Sequence, residues 1–215
     1  MIAEMSFSGQ QMKKKDFVKN YAIAIRGRGS GVVLQDTILR KLGLIWRLKV
    51  LSKVSIFAWR LILGRLLTRE NLKNRGILVE DRDCCCVFCF KALESSNHLF
   101  ESCPFTTRIW NKVGDWLGNS VKITIEELKN FGEHLEKIKA LEEQLTVGVI
   151  WLAIVWNLWL SRNAILFKGN IFNFNNDCYS VIVLVSWKWF RTVNASSMTC
   201  NFHYWNTFPL SYIKR

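Results

Sequence analysis

Three cysteines and one histidine stand at gaps that can close on a single metal ion: Cys86-x2-Cys89-x8-His98-x4-Cys103, within CCCVFCFKALESSNHLFESC. Thiolate sulfur and imidazole nitrogen are favoured zinc ligands, and four of them complete a tetrahedron. No position is left for water or substrate, so the chemistry is structural, with one Zn2+ as cofactor. The short first gap lets Cys86 and Cys89 bind from one tight turn, and the last gap sets His98 and Cys103 about one helical turn apart. Free cysteines also pack as small core hydrophobes, but a histidine spaced inside the cluster favours metal. Cys85 is a second candidate for the first ligand, since Cys85 and Cys89 make a looser gap. Cys178 and Cys200 lie far off and read as plain free thiols.

No pattern in the chain points to catalysis. A polymerase needs paired aspartates for two metal ions, and the sequence contains no Asp-Asp. Walker A, HExxH and GxSxG are absent too. The stretch RGRGSG at 26–31 lacks the spacing and strand-helix context of a phosphate cradle and reads as a flexible loop. The acids between 126 and 143 alternate with lysines, which is the pattern of a solvated helix face. His134 and His203 have no partners nearby in sequence, and the chain is expected not to be an enzyme.

The elements that must position the ligands read mostly as helix. Val54, Phe57 and Leu61 line one face of a helix over 53–63 that Gly64 ends. Thr68 caps a second helix through Arg75, with Glu70 in its first turn and Gly76 at its stop. The cysteine-dense segment has room only for a small hairpin. Pro104 opens a helix carrying Trp110, Val113 and Leu117 on one face, and Gly118 stops it. Thr124 and Glu127 form a capping box for a charged helix reaching 144. LTVGVIWLAIVWNLWL at 145–160 is apolar on nearly every side. It must be buried in a core or in a bilayer. Sixteen residues fall short of the roughly twenty that span a membrane, and SRN interrupts the continuation, so a buried helix is favoured. A last helix over 176–192 offers Tyr179, Val183, Trp187 and Phe190 as its core side, packing on 145–160.

Residues 45–117 resemble the reverse-transcriptase zinc-binding domain of plant non-LTR (LINE-type) retrotransposons, a module that follows the polymerase in its parent polyprotein. The resemblance is carried first by Trp46 before the basic Lys53-Val54 pair. It continues through Phe57, Trp59, Arg60, Gly64, Arg65, Leu66, Thr68, Asn71, Leu72, Arg75 and Gly76 in FAWRLILGRLLTRENLKNRGI. Cys86, Cys89, Glu94, His98-Leu99-Phe100, Cys103-Pro104, Trp110 and Trp116 complete it. WNLWLSRNAILFKG and SWKWFRT are also similar to the helical tail of such elements. Leu51 and Leu67 depart from the family, which has proline at both places. Each loss costs up to about 1 kcal/mol and suits an element copy no longer under selection.

The fold class expected is mainly α, a small irregular zinc-binding module flanked by helices, with a C-terminal helical bundle. A basic, partly disordered segment at 1–44 would precede the zinc-binding domain at 45–118, followed by a helical region at 119–193 and an irregular tail at 194–215. With 215 residues, half of them hydrophobic, and only two prolines, the chain can bury one good core or two small ones. Its charge is unevenly placed: residues 1–75 hold sixteen Lys and Arg against four Asp and Glu, and account for nearly all the net charge of +13. Such a basic half is the footprint of a surface that meets phosphates. Lys49, Lys53, Arg60, Arg65, Arg69, Lys73 and Arg75 flank the zinc motif and are the expected contacts. What the resemblance implies is help in holding template RNA or target DNA near a polymerase, which would here be a reverse transcriptase supplied in trans. The alternatives are a zinc-stabilised structural or protein-interaction remnant and a protein anchored to a membrane through residues 145–167. Seven cysteines, an odd number with five of them around the metal spacing, and no apolar signal segment at the start lead one to expect an intracellular protein, nuclear or cytoplasmic and not secreted.

Overall fold

The computed structural model describes residues 43, 45–48, 50–78, 80, 84–118, 141–169, 174–193, 201–207 and 209. The glycine-rich stretch, the capping box at Thr124, His134, Lys49 and Cys200 lie outside the described residues. The elements run α1 (Ser52–Ile62), α2 (Arg69–Lys73), a π-helical turn (His98–Ser102), α3 (Pro104–Trp116), α4 (Leu141–Lys168), α5 (Phe174–Val193) and α6 (Phe202–Thr207). Among the described residues the chain is mainly helical, and one isolated antiparallel bridge pairs Cys85 with Leu93.

Helix ends follow the local chemistry. At the end of α1 the Gly64 N–H bonds to the Leu61 carbonyl and the Arg65 N–H to the Arg60 carbonyl, the paired closure that needs a left-handed residue. Gly64, at φ 62°, supplies it without a Cβ penalty. The same closure recurs after α2 around Gly76, φ 71°, with Ile77 bonding back to Leu72. Thr68 accepts a hydrogen bond from the Asn71 N–H and so caps α2, as its side-chain type dictates. Pro104 sits in the first turn of α3, where a missing N–H costs nothing.

α4 is the axis of the molecule. Every residue from 149 to 155 is buried, including Trp151, because α5 lies along one side and α1 crosses another. The stretch SRN does not interrupt it; the helix runs on to Lys168. Leu145–Lys168 is long and apolar enough to cross a membrane, yet 72% of its apolar window is covered by the rest of the protein. On α5 the fully covered side is Cys178, Ile182, Val183, Ser186, Trp189 and Phe190, while Tyr179 and Trp187, expected to point inward, are half-buried. Their polar ring atoms suit that boundary.

The segment expected to be an irregular tail contains α6, which closes the far end. Its Trp205 is buried against Phe190 at a ring separation of 4.6 Å and donates its indole N–H to Ser186 Oγ. Trp116 of α3 packs edge-on to Trp205 and donates to the Asn206 carbonyl.

Candidate metal centre

The first two ligands come from a minimal hairpin. Cys86 donates its N–H to the Ala92 carbonyl (2.7 Å) and Glu94 donates to the Cys84 carbonyl (2.9 Å), flanking the Cys85–Leu93 bridge. Neighbours on an extended strand point to opposite faces. Cys86 therefore turns inward and is fully buried while Cys85 faces away, which decides between the two candidates for first ligand. Cys84 spends its thiol on the Glu80 carbonyl. The chain reverses over residues 87–89, and the Phe90 N–H closes back onto the Cys86 carbonyl. Phe90 takes φ 54° to do so, an uncommon conformation for a bulky residue.

The other two ligands come from the π-helical turn. Cys103 stands five positions after His98, which on an α-helix would leave them about 140° apart. The wider turn narrows that offset: the Cys103 N–H bonds to the His98 carbonyl at 2.9 Å, an i to i+5 closure. Ser95 Oγ starts the turn by accepting the His98 N–H, and Trp110 ties it to α3 by donating its indole N–H to the Phe100 carbonyl.

Four ligand atoms, from Cys86, Cys89, His98 and Cys103, thus lie within 4.8 Å of one another. Cys86 and Cys103 sulfurs are 3.9 Å apart, against about 3.8 Å for the edge of a tetrahedron with zinc–sulfur bonds of about 2.3 Å. Cys89 Sγ faces His98 Nε2 at 3.2 Å, leaving Nδ1 toward Ser102 Oγ. The electrostatics favour a dication. The Cys103 thiol is drawn below its ordinary pKa by the hydrogen bond with Cys86 and by the N–H groups of Phe105 and Thr106 at the start of α3. Cys86 is pushed up by that same bond and by burial. The two shifts are opposite in sign, and metal must displace whatever protons the two thiols still carry. Burial lowers the His98 pKa despite the opposing Glu94 charge, so the neutral, ligating imidazole is the stable form. The cluster fits one zinc ion with its coordination complete.

Behind the ligands lies a buried ion pair that sequence reasoning missed. Arg162 of α4 donates to Glu94 Oε1 from Nη2 (2.7 Å) and Nε (3.2 Å), and both side chains are almost wholly covered. Arg162 Nη2 also reaches the Leu67 carbonyl, and the guanidinium lies 4.8 Å from the Trp159 ring centre. Glu94 Oε1 accepts the Arg69 N–H as well, while Oε2 is buried without a hydrogen bond. The pair latches the hairpin to the central helix across 68 positions of sequence. Aromatic rings extend the contact: Phe57 of α1, Phe100 of the π-helical turn, and Trp156 and Trp159 of α4 pack with centroids 5.2–6.4 Å apart.

Of the expected nucleic-acid contacts, Lys53, Arg60, Arg65, Lys73 and Arg75 are exposed on or beside α1 and α2. Arg69 is half-buried, its Nη1 donating to the Cys85 carbonyl at 2.7 Å, so it braces the hairpin.

Residues 32–110 match the family model described as zinc-binding in reverse transcriptase, and all four ligands fall inside the match. This segment is therefore a reverse-transcriptase-type zinc-binding domain. The match begins ahead of residue 45 and ends short of 117. No curated protein and no solved structure matches the chain.

Proposed function

We propose that the chain is a non-catalytic zinc-stabilised module that binds RNA or DNA, of the kind that follows the polymerase in plant LINE-type retrotransposons. Its polymerase partner would be a reverse transcriptase supplied in trans, and it would act inside the cell, in nucleus or cytoplasm. The observation that carries this reading is the exposure of Lys53, Arg60, Arg65, Lys73 and Arg75 on or just after the two helices leading into the zinc hairpin, within the matched segment. Exposed cations on rigid elements neutralise phosphates without reading bases, so affinity is salt-dependent and sequence preference weak. Arg69 is bonded to the hairpin and is left out of this footprint.

Labelled single-stranded RNA and DNA titrated at several salt concentrations test the reading. Five phosphate contacts give a slope of log K on log salt near about 3.5. Lys73→Glu with Arg75→Glu lowers both affinity and slope. Affinity that ignores salt, or is untouched by that double substitution, overturns the proposal. A zinc-stabilised interaction module that binds no nucleic acid would then be the better reading, and the exposed apolar Ile77 and Phe90 beside the hairpin favour it. Anchoring through α4 is disfavoured because its apolar faces are already covered by α1 and α5.

A further inference from the structure

A cleft of about 210 Å³ opens between α1 and the later part of α4, and nothing in the zinc chemistry uses it. Ile56 and Leu67 form its aliphatic wall, Trp156 and Trp159 its aromatic wall, and Lys53 and Arg60 its rim; among the described residues no acidic one lines it. Ile56 and Leu67 are 44% and 45% exposed, so the wall faces solvent. Lys53 Nζ lies 5.9 Å from the Trp156 ring centre, which places a cation beside an indole within the cleft. Both rings pack on Phe57; Trp159 is held further by Phe100 and Arg162, whereas Trp156 packs edge-on to Phe57 with Lys53 over it, so Trp156 is the ring that a ligand bound to Lys53 would meet.

We infer that this cleft seats one nucleotide of a single strand, its base against Trp156, Ile56 and Leu67 and its flanking phosphates on Lys53 and Arg60. The inference rests on the nucleic-acid reading above and names the place where a strand would be gripped. Lys53 and Arg60 are two helical turns apart, about 10 Å, so they can bracket a nucleotide instead of sharing one phosphate. A flat apolar slot between two cations suits a planar base carrying anionic groups on both sides. A base inside a duplex presents no free face to such a slot, so the cleft selects single strands. Every base has a π-face, so the identity of the base matters little.

The test uses the full-length zinc-loaded protein and oligouridylates carrying 5-iodouracil at successive positions, irradiated and mapped by peptide mass spectrometry. The crosslink is expected on Trp156. Trp156→Ala lowers single-strand affinity by about 5- to 150-fold, the range base stacking on an aromatic spans. Ile56→Glu, a surface change that puts a carboxylate at the cleft mouth, lowers single-strand affinity while leaving duplex affinity and the circular dichroism spectrum unchanged. If the protein binds single strands but crosslinks away from Trp156 and ignores Ile56→Glu, the cleft assignment is wrong and the broader reading survives. If no nucleic acid binds at any salt, both fall. Saturable binding of an acidic apolar peptide that Ile56→Glu abolishes and oligouridylate fails to displace would overturn the inference in favour of a protein ligand.

Discussion

Residues 84–103 hold four ligand atoms on a handful of polar contacts and only four buried apolar side chains besides the cysteines, Val87, Phe88, Leu99 and Phe100, whereas α4 and α5 keep their shape by covering apolar surface along their length. In the hairpin, two cross-strand bonds, one uncommon backbone conformation at Phe90 and a single π-helical turn do the positioning. Without coordination that segment has mainly the burial of Val87, Phe88, Leu99 and Phe100 to offset its conformational entropy. In α4, seven consecutive buried residues each gain from leaving water, with about 1.5–3 kcal/mol for each large aliphatic one. One region is therefore expected to depend on an ion far more than the other. The Glu94–Arg162 pair and the Phe100–Trp159 contact join them, so the independence is incomplete at one end of α4.

Removing zinc gives the largest effect. Zinc-finger peptides gain roughly 10–16 kcal/mol on binding the ion, so a strong chelator should abolish amide protection over residues 84–104. Far-UV circular dichroism should keep most of the α4–α5 helicity. Hydrogen exchange is the sharper readout, because the latch predicts faster exchange around Arg162 and unchanged exchange around residue 151. Simultaneous loss of both helices would show that the two regions are one unit.

Arg162→Met comes next, at about 3–5 kcal/mol, since it strands a buried carboxylate. Adding Glu94→Leu should recover most of that loss, as replacing a whole buried pair by apolar side chains often does. Denaturant unfolding of the two singles and the double completes the cycle, and a single-mutant cost below about 1 kcal/mol would mean the pair is not desolvated in solution.

Two smaller changes bear on the approach to the hairpin. Thr68→Ala removes the cap of α2 and should cost about 0.5–2 kcal/mol in thermal unfolding. Leu51→Pro should stabilise by about 0.4–1 kcal/mol, because Leu51 precedes α1 at φ −57°, the angle a proline ring fixes. A destabilised Leu51→Pro variant would show that this position needs its N–H.

What was legible in the sequence is what local chemistry decides. The ligand gaps, the Thr68 cap, the stops at Gly64 and Gly76 and the apolar run of α4 depend on neighbours a few residues away. Arg162 was illegible for the opposite reason: within SRN it reads as a polar break, and only the fold supplies Glu94 at its far end. A charged residue inside an otherwise apolar helix is the signal that could have prompted a search for a buried partner. The gap from His98 to Cys103 suggested an ordinary helical turn, and periodicity cannot show that a π closure replaces it. Trp205 was passed over because α6 is too short to carry a pattern; its burial depends on Phe190 and Ser186 from another helix.

The central claim is that Cys86, Cys89, His98 and Cys103 hold one zinc ion. Zinc-edge X-ray absorption on the purified protein, with metal content measured on the same sample, tests it directly. One zinc per chain is predicted, with three sulfurs at about 2.3 Å and one nitrogen at about 2.0 Å. His98→Ala should remove the nitrogen shell or the metal. A four-sulfur shell that His98→Ala leaves unchanged, or protein that takes up no zinc after reconstitution, would contradict the account.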